Sequence, residues 1–248
     1  MTFLVGFLIA FVVGLTGVGA GAITAPVLIL FFNLPAAASV GTALTFAAVI
    51  KFAVAPVYFV RRQVNLRILA LLCAGGIPGV LGGAMLVTAL DAKRYEATIL
   101  LLVGTTVTLM ASYSLYRAIR RNVTAGSQDR AKWLPPIAAG IGVEVGFSAA
   151  GAGALGSLVL MNLTKLLPAQ VVGTDMMFGL VVSVVGGGVH IVSGHYDPAL
   201  LPKLLIGGVA GALVGANLSA KLAARPLRIA LSVFLIFLGI QLCWRGLG

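Results

Sequence analysis

Charge is scarce in this chain, and negative charge scarcest of all: 9% of the 248 residues are Asp, Glu, Lys or Arg, and six of them are acidic. With 60% hydrophobic residues and a mean hydropathy of +1.11, the sequence has too little polar material to coat a water-exposed surface, which excludes an ordinary soluble domain. Cysteine is nearly absent. Cys73 and Cys243 both lie in apolar stretches, which argues against a disulfide framework and for buried thiols. No cluster of His, Cys and carboxylate at ligand spacing occurs, so neither a metal nor an organic cofactor is expected. Met1 to Ala10 has no basic n-region and no small-residue cleavage site after it, so a removable signal peptide is not expected either. The basic residues, which give a net charge of +11, fall mostly in short loops beside apolar segments, where they orient a membrane protein. Nucleic acid is therefore not an expected partner.

What the chain has in abundance is apolar length. Eight stretches run roughly from Phe3 to Phe32, Ala38 to Val60, Leu66 to Leu90, Tyr95 to Tyr116, Leu134 to Leu163, Ala169 to Val192, Ala199 to Leu222 and Leu227 to Trp244. The one extended polar stretch, Arg117 to Trp133, divides them into a first transmembrane repeat (1–116), a polar cytoplasmic linker (117–133) and a second repeat (134–248). A shift of 132 positions superposes the halves. Gly14, Gly19 and Gly21 meet Gly146, Gly151 and Gly153; "VGT" at Val40 to Thr42 meets "VGT" at Val172 to Thr174. Gly75, Gly76, Gly79 and Gly83 meet Gly207, Gly208, Gly211 and Gly215. The fold class expected is an all-α integral membrane protein built from two tandem homologous repeats of about four hydrophobic segments each.

The glycines fall into two kinds. Those of the third segments recur at helical spacing and read as grooves for close helix packing. Those of "GLTGVGAGA" and "GFSAAGAGALGS" interrupt the first segment of each half. A straight helix of about 30 residues would be about 45 Å long against a hydrocarbon core of about 30 Å, so a break into two half-helices, forming a re-entrant hairpin, is expected. Basic residues favour that geometry. If all eight segments span, the loop charges divide ten to six; if the first and fifth are hairpins, Lys93, Arg94, Lys203 and Arg245 stand on one side against twelve on the other. Three crossings per half would then invert the repeats and place both termini outside, with eight spans in parallel repeats as the alternative.

Non-helical backbone at membrane depth is tolerated when it is buried in protein or lines a wet cavity, and the half-helix starting there presents free N–H groups to an anion. The candidate substrate-binding residues are accordingly Thr16, Gly17, Gly19, Gly21, Gly41, Thr42, Ser148, Gly151, Gly153, Gly173 and Thr174. The "VGT" residues are read as helix starts, and a crossing point of tightly packed helices is the competing explanation for the breaks. Four ionisable residues lie within apolar segments and are candidates for coupling: Glu144, Asp175, Lys51 and His190. Glu144 stands four residues before Ser148, so both share a helix face. Asp175 reads equally as a carboxylate at a helix start, and His190 as an interfacial histidine, with His195 in a loop. Lys51 lies nine residues after Thr42, on the opposite face of a regular helix, with a carboxylate of the other half as its alternative partner.

The duplicated glycine interruptions, both "VGT" turns, the prolines shortly before them (Pro35, Pro168) and the "YFVRRQVNLR" loop together resemble the sulfite exporter TauE/SafE family over nearly the whole chain. The resemblance implies a bacterial inner-membrane, multi-pass transporter of small sulfur-containing or organic anions coupled to an ion gradient, and not an enzyme. The expected partners are a small anionic substrate, a coupling proton or cation, the lipid bilayer and, as an option, further copies in a homo-oligomer. Two competing functions are an intramembrane lipid-phosphate enzyme with Ser148 as nucleophile and Glu144 as base, and a passive anion channel. The halves differ at Asp175, where the first has Ala43, and at Gly194, where the first has Arg62.

Overall fold

The computed structural model describes residues 2–16, 19–89, 95–119, 130–150, 153, 155–218 and 224–247; Gly17 and Gly151 lie outside them. The described residues form helices and short connections. In chain order the helices are α1 (Thr2–Thr16), α2 (Ala20–Phe31), α3 (Ala36–Val60), α4 (Leu66–Ala89) and α5 (Glu96–Ile119), then α6 (Leu134–Ser148), α7 (Leu155–Leu163), α8 (Pro168–Val192), α9 (Leu201–Leu218) and α10 (Ala224–Leu247). A 3₁₀ turn at Ala131–Trp133 leads into α6. Among the described residues six helices, α3, α4, α5, α8, α9 and α10, are long and apolar enough to cross a membrane. The first and fifth apolar segments are each divided into two shorter helices, of 15 and 12 residues and of 15 and 9 residues.

Local chemistry accounts for these boundaries. At the second break Ala149 adopts a left-handed φ of 60° and donates its N–H to Val145 at 2.9 Å, which ends α6; Gly153 follows at φ 119°, a conformation that favours glycine. Proline sets the starts of α3 and α8: Pro35 precedes the first helical residue and Pro168 is the first. Both "VGT" triplets consequently fall inside the second turn of their helices and not at helix starts, because each proline opens its helix four or five residues earlier. Asp175 likewise lies within α8.

Packing joins the halves tightly. Gly75, Gly79 and Gly83 of α4 rest on the carbonyl oxygens of Pro135, Ala139 and Val143 of α6, and a Cβ on any of the three would overlap them. Gly207, Gly211 and Gly215 of α9 rest in the same way on Phe3, Phe7 and Phe11 of α1, every residue displaced by 132. Contact numbers rise together in both pairs, so α4 runs parallel to α6 and α9 to α1. Such grooves bring backbones close enough for dispersion and Cα–H···O contacts to replace the hydrophobic drive that lipid lacks. Gly76 and Gly208 receive the rings of Phe178 and Phe46, both fully buried. By contrast α3 and α8 cross antiparallel, with Gly41 against His190, Thr45 against Gly187 and Lys51 against Ser183. Helices α5 and α10 are also antiparallel, pairing Gly104 with Cys243 and Ser114 with Ser232. Large apolar side chains such as Phe52, Leu109 and Ile206 point outward, as a lipid-facing surface requires.

Candidate functional site

The two interruptions meet in space. Gly19, Ala20 and Gly21 are buried, and a Cβ on Gly21 would overlap the carbonyl oxygen of Ala149, the residue at which α6 ends. Glycine at 21 is thus needed for the approach of one break to the other. Helix α2 begins after Gly19 with no side-chain capping hydrogen bond, so its first turn offers backbone N–H groups beside that contact. Thr24, fully buried one turn later, donates its hydroxyl to Ala20 at 2.8 Å and so serves its own helix. Thr16 is the last residue of α1, and Gly153 stands in the second break.

Around the second break the polar groups form a directed chain. Ser148 donates to Glu144 Oε1 at 2.6 Å and accepts the N–H of Ala150 at 3.1 Å, which fixes the hydroxyl between the carboxyl and the turn. Glu144 Oε2 is buried without a partner. His190, in the last turn of α8, is fully buried within the protein, with Nε2 3.2 Å from the carbonyl of Gly146. A carbonyl accepts only, so Nε2 is the donor in this contact, and Nδ1 is without a partner. The His195 ring stands edge-on to it at 6.4 Å between centroids, and its own Nδ1 is also unpartnered.

Asp175 and Lys51 form a second group between α3, α7 and α8. Asp175, 4% exposed, accepts from the hydroxyl of Ser157 at 2.5 Å through Oδ2, while Oδ1 lies against Gly156, where a Cβ would overlap it. Its carboxylate therefore sits on the first turn of α7 and not at the start of its own helix. Lys51, 5% exposed, donates to Ser183 at 3.3 Å, and its charge acts on Asp175. Ser157, Gly156 and Ser183 were not candidates from sequence alone; Ser183 is the counterpart of Lys51 at the 132 shift, and that register was the available signal.

The "VGT" residues hold loops, and Gly41 also abuts His190. Thr42 Oγ1 accepts the N–H of Asp197 at 2.9 Å and Thr174 Oγ1 accepts that of Asn65 at 3.0 Å. Gly41 and Gly173 abut the carbonyls of His195 and Gln63 at the same two places.

Six apolar helices and two broken segments, with ionisable side chains buried between them, define a multi-pass membrane protein. The family described as Sulfite exporter TauE/SafE matches residues 2–242, and the chain belongs to it. It is 28% identical over 249 residues to the probable membrane transporter protein YjnA of Bacillus subtilis (strain 168), covering 96% of this chain and 97% of that one. It is also 28% identical over 219 residues to the probable membrane transporter protein YdhB of the same organism, covering 86% and 87%. No solved structure gives a significant match. Family and relatives support a membrane transporter.

Proposed function

We propose that the protein is a secondary transporter of small sulfur-containing or organic anions across the bacterial inner membrane, driven by a proton or other ion gradient. The observation that carries this reading is the meeting of the two breaks at Gly21 and Ala149, with the Glu144–Ser148 pair at the junction. An anion there is held by the free N–H groups of the half-helix starts and by the Ser148 hydroxyl, with Gly19, Gly21 and Gly153 at the floor; Thr16, Gly17 and Gly151 complete the proposed set, the two glycines lying outside the described residues. Gly41, Thr42, Gly173 and Thr174 hold the loops that close the assembly. Glu144, Asp175, Lys51 and His190 balance the charge of the substrate and carry the coupling ion.

Inverted repeats are part of the proposal. The antiparallel crossing of α3 with its counterpart α8 supports them, since parallel repeats would run these two helices the same way. Because α1 runs with α9 and α9 runs back from α8, α1 and α3 point in one direction, and α2 has to return the chain between them. Segments one and five are then re-entrant hairpins, and transport proceeds by rocking one half against the other around the junction. The test is uptake into proteoliposomes by Gly19→Leu and Gly151→Leu. Loss of flux with membrane insertion intact is expected, and unchanged flux in both contradicts the site.

A further inference from the structure

Helix α7 is the counterpart of α2, yet the two starts differ in what covers them. At α2 the capping position is Gly19, without a side-chain bond, and the residue in the register of Asp175 is Ala43, fully buried and apolar. At α7 the carboxylate of Asp175 lies on Gly156 and Ser157. It is 4% exposed, and Oδ1 has no hydrogen-bond partner. An anion seeking that half-helix start would need the same N–H groups, the same Ser157 hydroxyl and the same Lys51 charge, and two negative groups cannot share them in a low-dielectric site. We infer that Asp175 is a tethered stand-in for the substrate, so that an anion takes the α7 start only when the carboxylate accepts a proton and yields its place.

This inference rests on the transporter reading and names its coupling device. The unpartnered Oδ1 is the oxygen that takes the proton. One proton enters for each anion bound, so that for a monoanion the charge facing Lys51 stays the same through the exchange and for a dianion it becomes more negative by one. Of the described titratable or charged residues on elements packed against α8, α3 offers Lys51 and Tyr58, α4 offers Arg67 and Cys73, α6 offers Glu144, and α7 offers none. Lys51 is the one whose charge acts on Asp175, whereas Glu144 is engaged with Ser148. The first half, with Ala43 in place of the carboxylate, carries no such competitor at its α2 start.

The test is equilibrium binding of thiosulfate and of sulfoacetate, anions that stay ionised through neutral pH, to the purified full chain across a pH series. For the wild type, apparent affinity should fall about tenfold per pH unit once Asp175 is charged, since one proton must be bound with each anion. Asp175→Asn, which keeps the shape of the neutral acid, should bind tightly and show no pH slope. Ser157→Ala, which removes a hydroxyl that holds the charged carboxylate, should keep the slope and move the curve to higher pH; it also decides the matter if the Asn variant fails to insert. A pH slope that survives in Asp175→Asn overturns the inference and leaves the transporter reading intact with the proton elsewhere. Wild-type binding without any pH slope overturns it in the same way. Binding of neither anion by wild type or variant contradicts the anion site itself.

Discussion

Ser148 uses its hydroxyl in both senses, donating to Glu144 and accepting from Ala150, so it ties a buried carboxyl to the turn that ends α6. Removing it leaves Glu144 with no partner on either oxygen among the described contacts. Ser148→Ala should therefore destabilise the protein by about 1–3 kcal/mol and reduce gradient-driven uptake, while Glu144→Gln, which retains a hydrogen-bonding partner for Ser148, should fold normally and lower uptake without removing its gradient dependence, which rests on Asp175. Thermal unfolding in detergent beside uptake with and without a pH gradient separates the two effects. Thr42 and Thr174 act differently, since each accepts the N–H of a residue in a loop of the other half. Either Thr→Val change should cost about 1–3 kcal/mol by leaving that N–H unpaired, with binding of the anion unchanged. The Glu144–Ser148 pair was legible in the sequence because both residues lie on one helix at i, i+4. The Asp175–Ser157 and Lys51–Ser183 contacts were not, because they join residues 18 and 132 apart across packed helices, and no local period encodes a crossing.

At the scale of the element, one sequence feature, glycine, does two jobs that spacing separates. On α4 and α9 the residues recur every four positions and each lies on a carbonyl of the neighbouring helix, so they set interhelical distance. In the breaks they alternate with other small residues and the helix stops. Gly79→Val and Gly211→Val should each cost at least about 1–3 kcal/mol through overlap with backbone that cannot turn aside, lowering the yield of folded protein equally because the positions are equivalent. Gly82 has open space where a Cβ would go, so Gly82→Ala is the control and should be tolerated. The division of glycines into packing and interrupting kinds could be read from the sequence only in part, since Gly14 and Gly146, grouped there with the interruptions, lie inside α1 and α6 and pack on Ala212 of α9 and Val80 of α4. Placement of the "VGT" triplets could not, since a triplet with strong turn residues was overridden by the proline that had already opened the helix.

At the scale of the whole molecule, the account depends on halves that face opposite ways. Every major contact pair has its counterpart: α1 with α9 and α4 with α6, α3 with α8, α5 with α10, and a buried Lys51–Ser183 bond linking two residues that are themselves equivalent. Inverted halves place the Arg61–Arg62 loop and the His195–Asp197 loop on opposite sides of the membrane and the N-terminal end of α1 on the side of the latter. Single cysteines introduced at Gln63 and at Asp197 should accordingly react with an impermeant thiol reagent from opposite faces of oriented vesicles. Reaction from the same face would restore parallel repeats. The proposed duplication draws on glycine registers that survive a shift of 132, and the proposed inversion draws on the direction of helix contacts, toward which the loop charges also point.

The most direct measurement of the central claim is uptake of labelled sulfite, thiosulfate, taurine, sulfoacetate and oxalate into proteoliposomes, with and without an imposed pH gradient. The account predicts saturable flux of at least one anion that rises with the gradient and disappears in Gly19→Leu. Flux that ignores the gradient and never saturates would contradict it in favour of a passive pore, and no flux of any of the five would contradict the anion site at the junction of the two breaks.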